Sequence, residues 1–359
     1  MSAPTNALVD VLILGGGPAG LACATALSRQ LHTCLVLSSA AGPEAEEESE
    51  ATEYRAPHFR NARAKHMHNV LGWDHADPAA LRARARADLA ARYGDTAEVR
   101  DGVEVVKVEK LEDGEKKRTR FRAVDAKGRV YEGRKLVVAS GIQDVMPDIP
   151  GYAELWGRRI FHCLFCHGFE TRGSPSAAVL ATGTLTNPQF ATGVSRMAAR
   201  LTTRSVTVYT NGDLELAAQL RQSLRSTARF RIDARKIASL SPGPARPQSD
   251  DAKKEKEDDE GPVRVTLADG SAAEEAFLVH VPDAALNGPV VADLGLEMAA
   301  GGGHIEAQAP FGSTSVRGVY AAGDCATGLR AVAIAAMMGS TAAAGVAHEL
   351  QGEDDAEDE

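Results

Sequence analysis

The first forty residues constrain the fold more than any other part of the chain. A run of branched apolar residues, Val9–Leu14, leads directly into the glycine-rich turn Gly15–Gly20, and an Ala-rich helical pattern follows from about Leu21 to Gln30. A second apolar run, Thr33–Leu37, is predicted to form the next strand. Strand, glycine turn, helix and strand in this order predict a parallel βαβ unit, and therefore an α/β fold.

The glycine turn has the spacing of a dinucleotide-binding site. Gly15, Gly17 and Gly20 match G-x-G-x-x-G: the first permits the tight turn, the second lets a pyrophosphate approach the backbone, and the third lets helix and strand pack closely. Pro18 and Ala19 begin the helix, whose N-terminal amides would face the phosphates. A merely structural turn is the alternative.

Two further segments indicate which dinucleotide binds. The acidic residue that usually ends the second strand of an NAD site is missing, with Ser38 and Ser39 in its place, which disfavours NAD and is compatible with FAD. Near the other end, Gly318–Asp324 predicts a strand that runs into Gly323. Asp324 would then lie at the carboxyl end of that strand, where ligands bind in such sheets, or would act as the N-cap of the next helix.

Cys163 and Cys166 are the strongest candidates for chemistry. Their spacing brings the two sulfurs within bridging distance if a helix starts there, and a helix N-terminus would stabilise one thiolate. Zinc would need two more ligands at ligand spacing, and the chain has no second C-x-x-C, so we expect no metal. Two inert core cysteines are the other alternative. His167 could deliver a proton to a sulfur or to a reduced flavin, or could cap a backbone carbonyl.

Length and charge exclude several classes of protein. The 359 residues are enough for two domains, and five cysteines do not make a disulfide framework in a chain of this size. The net charge of −9 disfavours nucleic-acid and anionic-membrane partners. The start of the chain has no signal-peptide pattern, and no apolar run approaches the ~20 residues of a membrane-spanning helix. We therefore expect a cytoplasmic protein.

Taken in order, these motifs resemble a known family. The glycine turn, then Ser140-Gly141 before a Pro-Gly linker, then Cys163–Glu170 and Gly318–Asp324, are similar to the low-molecular-weight thioredoxin reductases. The resemblance covers nearly the whole chain, except an acidic loop near Glu44–Glu50, an insertion at 241–261 and the acidic tail.

The resemblance implies an α/β architecture of two Rossmann-like three-layer domains. Residues 1–148 and 286–350 would form a discontinuous FAD-binding domain, and residues 149–285 an inserted NADPH-type domain that carries the cysteines. We expect residues 351–359 to be a disordered acidic tail. The resemblance also implies a homodimer and a cofactor contact at Gly141, with Cys166 beside the flavin and Cys163 as the exposed interchange sulfur.

The chain departs from that family at its second nucleotide turn. The family normally repeats the glycine motif in the inserted domain, but residues 181–187 keep only Gly183 and have Leu185 where a glycine is wanted. No cation stands at Tyr209–Asp213, where reductases place arginines for the NADPH 2′-phosphate. His167 also replaces the usual Asp after the second cysteine.

A narrower resemblance explains these departures. Cys163–Glu170, with His66–His68 and Trp73–His75, is similar to fungal FAD-dependent dithiol oxidases related to gliotoxin oxidase, which close disulfides in epidithiodioxopiperazines with oxygen rather than NADPH. This resemblance implies a small-molecule dithiol substrate, O2 as acceptor and H2O2 as product, with His66 or His68 as a further base. The alternatives are an NADPH-dependent thioredoxin or disulfide reductase, and a flavin-bound regulatory protein with little turnover.

Overall fold

The computed structural model describes residues 8–40, 59–62, 64–113, 118–225, 228–244 and 261–358. The acidic loop predicted near Glu44–Glu50 and most of the predicted 241–261 insertion lie outside the described residues. The chain divides into two compact units. We call Met1–Gln143 with Ala284–Glu359 the split unit, because two separate parts of the chain build it, and Asp144–Asp283 the inserted unit.

The split unit contains a seven-stranded sheet. Its strands are β1 (Val9–Leu14), β2 (Cys34–Leu37), β3 (Ala97–Arg100), β4 (Val105–Asp113), β5 (Arg118–Asp125), β6 (Val130–Val138) and β17 (Val319–Ala321). The order is β3-β2-β1-β6-β5-β4, and β17 also pairs with β6. Pairing is parallel from β3 through β6 and to β17, and antiparallel between β4, β5 and β6. The predicted parallel βαβ start is therefore confirmed.

Small residues let two helices of the split unit pack closely on this sheet. The described helices of this unit are α1 (Pro18–Ser28), α2 (Pro78–Tyr93), α7 (Val290–Leu294) and α8 (Val332–Asp358). A Cβ at Gly339 would overlap the carbonyl oxygen of Ala19, so the contact between α8 and α1 tolerates no side chain there. Around it, Leu27 and Val346 are fully buried in one apolar cluster that also contains Ile13 of β1.

The inserted unit has its own parallel sheet. Its strands are β8 (Ile160–Phe161), β9 (Ser174–Leu180), β10 (Thr202–Tyr209), β11 (Phe230–Asp233) and β15 (Leu278–Val279), in the order β11-β10-β9-β15-β8. A three-stranded antiparallel sheet is formed by β12 (Ile237–Pro242), β13 (Val263–Leu267) and β14 (Ala272–Glu275). The helices are α3 (Tyr152–Leu155), α4 (Leu164–His167), α5 (Pro188–Leu201) and α6 (Leu214–Ser223). The strands β7 (Ile142–Val145) and β16 (Asp283–Leu286) carry the chain from one unit to the other.

The prediction of a disordered tail is wrong for residues 351–358, which continue helix α8. Lys135 in β6 is only 1% exposed and pairs with two acidic side chains of this helix, Glu349 and Glu353. Arg134 pairs with Asp354 in the same way. A buried ammonium group needs such partners, so the acidic residues hold the helix against the sheet instead of leaving it in solvent.

One other sequence prediction needs adjustment. The strands predicted separately at Val130–Tyr131 and Leu136–Ala139 are one strand, β6, because the polar residues between them alternate with buried ones and continue the pairing with β1. Among the described residues, no helix is long and apolar enough to cross a membrane.

Candidate active site

The first glycine turn has the backbone geometry that its sequence predicts. Gly15 has φ +117°, and a Cβ there would overlap the carbonyl oxygen of Ala139. A Cβ at Gly20 would overlap the carbonyl oxygen of Gly15, which confirms the close approach of helix and turn. At Gly17, by contrast, the nearest described atom is Cδ1 of Phe59, 3.9 Å from the Cβ position. The turn is thus packed behind Gly15 and Gly20 and open beside Gly17.

The N-terminus of α1 offers amides rather than a side-chain cap. Gly17 is the N-cap residue and has no side chain that could accept from the first turn, and Pro18 follows it. The first turn, which contains Ala19 and Gly20, therefore presents its N–H groups and the positive end of the helix dipole to a ligand. This is the arrangement that binds a pyrophosphate.

A buried hydroxyl lies against the same turn. Ser38 follows β2 directly, is 1% exposed, and its Oγ has no hydrogen-bond partner among the described residues. A Cβ built at Gly16 would lie 2.8 Å from this Oγ. The end of the second strand is where a dinucleotide-binding fold holds the ribose of its adenosine. An orphaned hydroxyl at this place fits a ribose hydroxyl of FAD, which would satisfy it.

The other predicted cofactor residues lie in the same unit. Gly323 has φ +81°, and a Cβ there would lie 2.9 Å from the Cβ of Ala19 at the start of α1. Asp324 therefore follows β17 beside the glycine turn, and its carboxylate lies 3.3 Å from Nη1 of Arg60. Asp324 begins a one-turn 3-10 helix, Asp324–Ala326, which is not the long helix considered for its N-cap role.

Gly141 has a conformation that only a glycine adopts readily. Its φ is +65°, and it follows Ser140, whose carbonyl oxygen accepts a hydrogen bond of 2.9 Å from Nδ2 of Asn287. No atom of the described residues lies within 4 Å of a Cβ built at Gly141, so the described part of the chain leaves space on that side open. The amides of the first turn of α1, the Ser38 hydroxyl and the open space beside Gly17 together fit FAD. The predicted phosphate-binding residues are Gly15, Gly17, Pro18, Ala19 and Gly20.

The two candidate cysteines form a disulfide in the inserted unit. Cys163 and Cys166 are bonded, with their Cα atoms 5.2 Å apart. Cys163 is the N-cap residue of the short helix α4, and its carbonyl oxygen accepts from the N–H groups of Cys166 and His167 at 3.2 and 3.1 Å. The sequence predicted that a helix starting here would bring the sulfurs together, and α4 does so. Both cysteines are half-buried, so burial alone does not indicate which sulfur a substrate attacks.

Aromatic residues lie close to the two cysteines in the chain. The ring centroid of His167 lies 5.6 Å from that of Phe161, which ends β8. Phe165, between the two cysteines, is 75% exposed, and Phe169, one turn later, is 67% exposed. Arg172 stacks over the ring of Phe169 at 3.9 Å. Exposed aromatic residues next to a reactive disulfide provide a nonpolar surface for whatever molecule reaches the sulfurs.

The predicted histidine segment is an ordered cluster in the split unit. The rings of His66 and His75 stack with centroids 4.0 Å apart, and His68 lies 5.3 Å from His75. Nδ1 of His68 is 3.6 Å from a carboxylate oxygen of Asp74, and a backbone hydrogen bond from Asn69 lowers the pKa of that carboxyl. A catalytic role of His66 or His68 stays a prediction.

The three remaining cysteines are placed for packing. Burial raises the pKa of Cys34 to about 12 and the pKa of Cys325 to about 11, and it raises the pKa of Cys23 further. A thiol that stays protonated is neither a nucleophile nor a ligand at neutral pH. The three buried thiols therefore act as small apolar residues in the core.

The second nucleotide turn, at residues 181–187, differs from the glycine turn at Gly15–Gly20 because the helix that follows it has a side-chain cap. The N-cap of α5 is Asn187, whose Oδ1 accepts from the N–H groups of Gln189 and Phe190 at 2.9 and 3.3 Å. Pro188, between Asn187 and Gln189, has no N–H. Leu185 is 1% exposed, with its side chain packed into the core of the unit. The amides that would bind a pyrophosphate are therefore already used within the chain.

Comparisons with known proteins identify the family. The model of the pyridine nucleotide-disulphide oxidoreductase family matches residues 9–339. The chain belongs to this family. The thioredoxin reductase aclD of Aspergillus oryzae is 41% identical over 98% of both chains, and the thioredoxin reductase sirT of Leptosphaeria maculans is 36% identical over 97% of this chain and 96% of its own. The crystal structure of HlmI is similar, with a TM-score of 0.75, 29% identity, and coverage of 98% of this chain and 95% of HlmI.

These comparisons confirm the main predictions about class. The fold is thioredoxin reductase-like, as the similarity to a thioredoxin reductase structure from Bacillus anthracis also shows, with a TM-score of 0.73 at 20% identity. The protein is an FAD-dependent thiol–disulfide oxidoreductase. In this family FAD supplies the two-electron chemistry that is linked to the disulfide.

Several residues at these sites were not predicted from the sequence. The Asn187-Pro188 pair is a recognisable N-cap signature and could have been found. Arg60 has no local signal, because its partner Asp324 is 264 residues away in the chain. His280 has no local signal either, because its partners Tyr152 and Thr182 are 128 and 98 residues away in the chain.

Proposed function

We propose that this enzyme is a dithiol oxidase, which closes a disulfide in a small-molecule dithiol and passes the electrons to oxygen, with hydrogen peroxide as the second product. The observation that carries this proposal is the contrast between the two nucleotide turns. The N-terminus of α1 is uncapped, whereas the N-terminus of α5 is capped by Asn187. An oxidoreductase with a disulfide and one dinucleotide site needs a reductant other than NADPH, and a dithiol substrate is one.

The chemistry at the disulfide follows from thiol–disulfide exchange. A substrate thiolate attacks Sγ of Cys163, breaks the bond to Cys166 and forms a mixed disulfide, with Cys166 leaving as a thiolate. The second substrate thiol then displaces Cys163, which releases the oxidised substrate and leaves both cysteines reduced. When bound, FAD supplies the acceptor for the two electrons of the reduced cysteines, so that their disulfide is restored and the electrons reach O2.

The other residues near the disulfide have supporting roles in this proposal. His167 follows Cys166 directly and would hold the proton that the Cys166 sulfur exchanges in each cycle. Phe165 would support the nonpolar part of a small substrate. The choice of Cys163 as the attacked sulfur comes from the resemblance to thioredoxin reductases. We also propose a homodimer, on the same resemblance.

An NADPH-dependent disulfide reductase is the second candidate, and a specific observation favours it. The relatives aclD, tcpT of Claviceps purpurea and sirT, all between 36% and 41% identical, carry the name thioredoxin reductase. Electrons would then pass through the same disulfide in the opposite direction. Such an enzyme would need nucleotide phosphates to displace Asn187 from the α5 amides.

Oxygen uptake separates the two candidates. The FAD-loaded enzyme should consume O2 with a small dithiol and release one H2O2 for each disulfide formed, and Cys163→Ser should not. NADPH should cause no oxygen uptake and should not support reduction of thioredoxin. Reduction of thioredoxin at the expense of NADPH, without dithiol-driven oxygen uptake, would show that the reductase candidate is the right one.

A further inference from the structure

The topology of the inserted unit marks one place for a nucleotide. Strand β9 lies in the middle of the sheet; β10 and β11 are on one side, and β15 and β8 are on the other. The order reverses between β9 and β15, which are parallel neighbours with Val179 opposite Val279. In open parallel sheets the ligand binds outside the carboxyl ends of the strands at such a switch point. Here those ends are Thr182, just after β9, and His280, just after β15.

The side chain of His280 fills this place. It is 1% exposed, with Nδ1 2.6 Å from the hydroxyl of Tyr152, and Nε2 3.0 Å from Oγ1 and 3.3 Å from the carbonyl oxygen of Thr182. Burial lowers the pKa of His280 to about 4, so the ring is neutral at physiological pH. A neutral ring has one donor and one acceptor nitrogen. Nε2–H can therefore donate to Thr182 while Nδ1 accepts from Tyr152, which satisfies both nitrogens.

Backbone contacts draw the two sides of the crevice together. The N–H of Thr184 donates to the carbonyl oxygen of Val281 at 3.2 Å, and its hydroxyl donates to the carbonyl oxygen of Pro282 at 3.4 Å. A Cβ at Gly183 would lie 3.3 Å from the backbone of both Val281 and Asp283. The turn after β9 therefore contacts the segment after β15 directly, at the position where a nucleotide would separate them.

We propose that His280, held by Tyr152 and Thr182, closes the switch-point crevice of the inserted unit and is the residue that excludes pyridine dinucleotides from it. This rests on the proposed function, since it explains why the electrons come from a dithiol. It goes further by assigning the exclusion at the crevice itself to one buried side chain. Asn187 is a second barrier at the α5 amides, and the two act on different parts of the same ligand.

The test is a binding titration on the FAD-loaded enzyme with NADPH as the probe, followed by equilibrium dialysis. Wild type and Asn187→Gly, in which His280 still closes the crevice, should show no saturable binding. The double variant His280→Gly with Asn187→Gly should bind with a dissociation constant on the order of millimolar, and His280→Gly alone more weakly. If the glycine variant does not retain FAD, His280→Ser, which keeps a hydrogen-bonding group for Thr182, replaces it.

Two results would overturn the inference. One is the absence of NADPH binding in a folded, FAD-loaded double variant; the other is wild-type binding as tight as that of the variant. Dithiol-driven oxygen uptake by the wild type, measured on the same preparation, reports on the proposed function separately. Uptake without variant binding would refute only the role of His280, and variant binding without uptake would refute only the oxidase.

Discussion

Replacement of Ser38 by alanine should weaken FAD binding and yet stabilise the protein without its cofactor. The Ser38 hydroxyl is buried and has no partner among the described residues, although it lies against the glycine turn. A buried polar group without a hydrogen bond destabilises the protein that contains it, whereas a bond to the ribose would satisfy it. Ser38→Ala removes both the destabilisation by the unsatisfied hydroxyl and its hydrogen bond to the ribose.

The magnitude follows from the energy of one hydrogen bond. A typical net contribution of about 0.5–1.5 kcal/mol corresponds to an increase of about 2- to 12-fold in the FAD dissociation constant. The affinity for FMN, which has no adenosine ribose, should not change. Apoprotein without FAD should resist denaturant slightly better than wild-type apoprotein, because the unsatisfied hydroxyl is gone.

The assay is a fluorescence titration of apoprotein with FAD and, in parallel, with FMN. Ser28→Ala is a matched control, since Ser28 is equally buried but its hydroxyl contacts Cys34 Sγ, away from the glycine turn. It should leave the affinity for both flavins unchanged. Unaltered FAD affinity in Ser38→Ala, or an equal loss of FAD and FMN affinity, would show that Ser38 does not bind the adenosine ribose.

Three further predictions concern the disulfide, the ion pairs of the tail and a buried carboxyl. Cys163→Ser should lower dithiol-driven oxygen uptake at least about a thousandfold while FAD stays bound, measured by oxygen electrode and flavin absorbance; appreciable residual turnover would contradict the exchange mechanism. The double variant Glu349→Gln with Glu353→Gln removes both acidic partners of the buried Lys135, so the free energy of unfolding should fall by about 3–5 kcal/mol. Adding Lys135→Met should restore most of this stability. Denaturant titrations in which Lys135→Met restores nothing would show that the loss does not come from an uncompensated buried charge. Burial raises the pKa of Glu275, so the folded state loses stability as the pH rises above the ordinary glutamate pKa. Glu275→Gln should flatten that dependence above the ordinary glutamate pKa, and an unchanged slope in denaturant titrations at a series of pH values would contradict this prediction.

Local patterns in the sequence predicted what depends on neighbouring residues. The glycine turn, helix α1 and the placement of Cys163 as the N-cap of α4 follow from residue spacing, because each is fixed within one or two turns of chain. The pairing of Cys163 with Cys166 is of the same kind. The thioredoxin reductase-like fold came from the order of these motifs along the chain.

The features that sequence reasoning missed join distant residues. The buried ammonium of Lys135 turns the acidic end of α8 from an expected solvated tail into a docked helix, and the two are more than 200 residues apart. His280 and Thr182 are 98 residues apart, and no periodicity connects them. Hydrophobic patterning locates a core, but it does not reveal which buried polar groups will satisfy each other across a sheet.

The most direct test of the central claim is anaerobic mixing of the FAD-loaded enzyme with either a small dithiol or NADPH, followed by flavin absorbance. The dithiol should bleach the oxidised flavin band, and admitting air should restore the band with formation of H2O2. NADPH in excess should leave the band unchanged over the same time. Rapid bleaching by NADPH, with none by dithiols, would contradict the account that the electrons enter through the Cys163–Cys166 disulfide from a substrate.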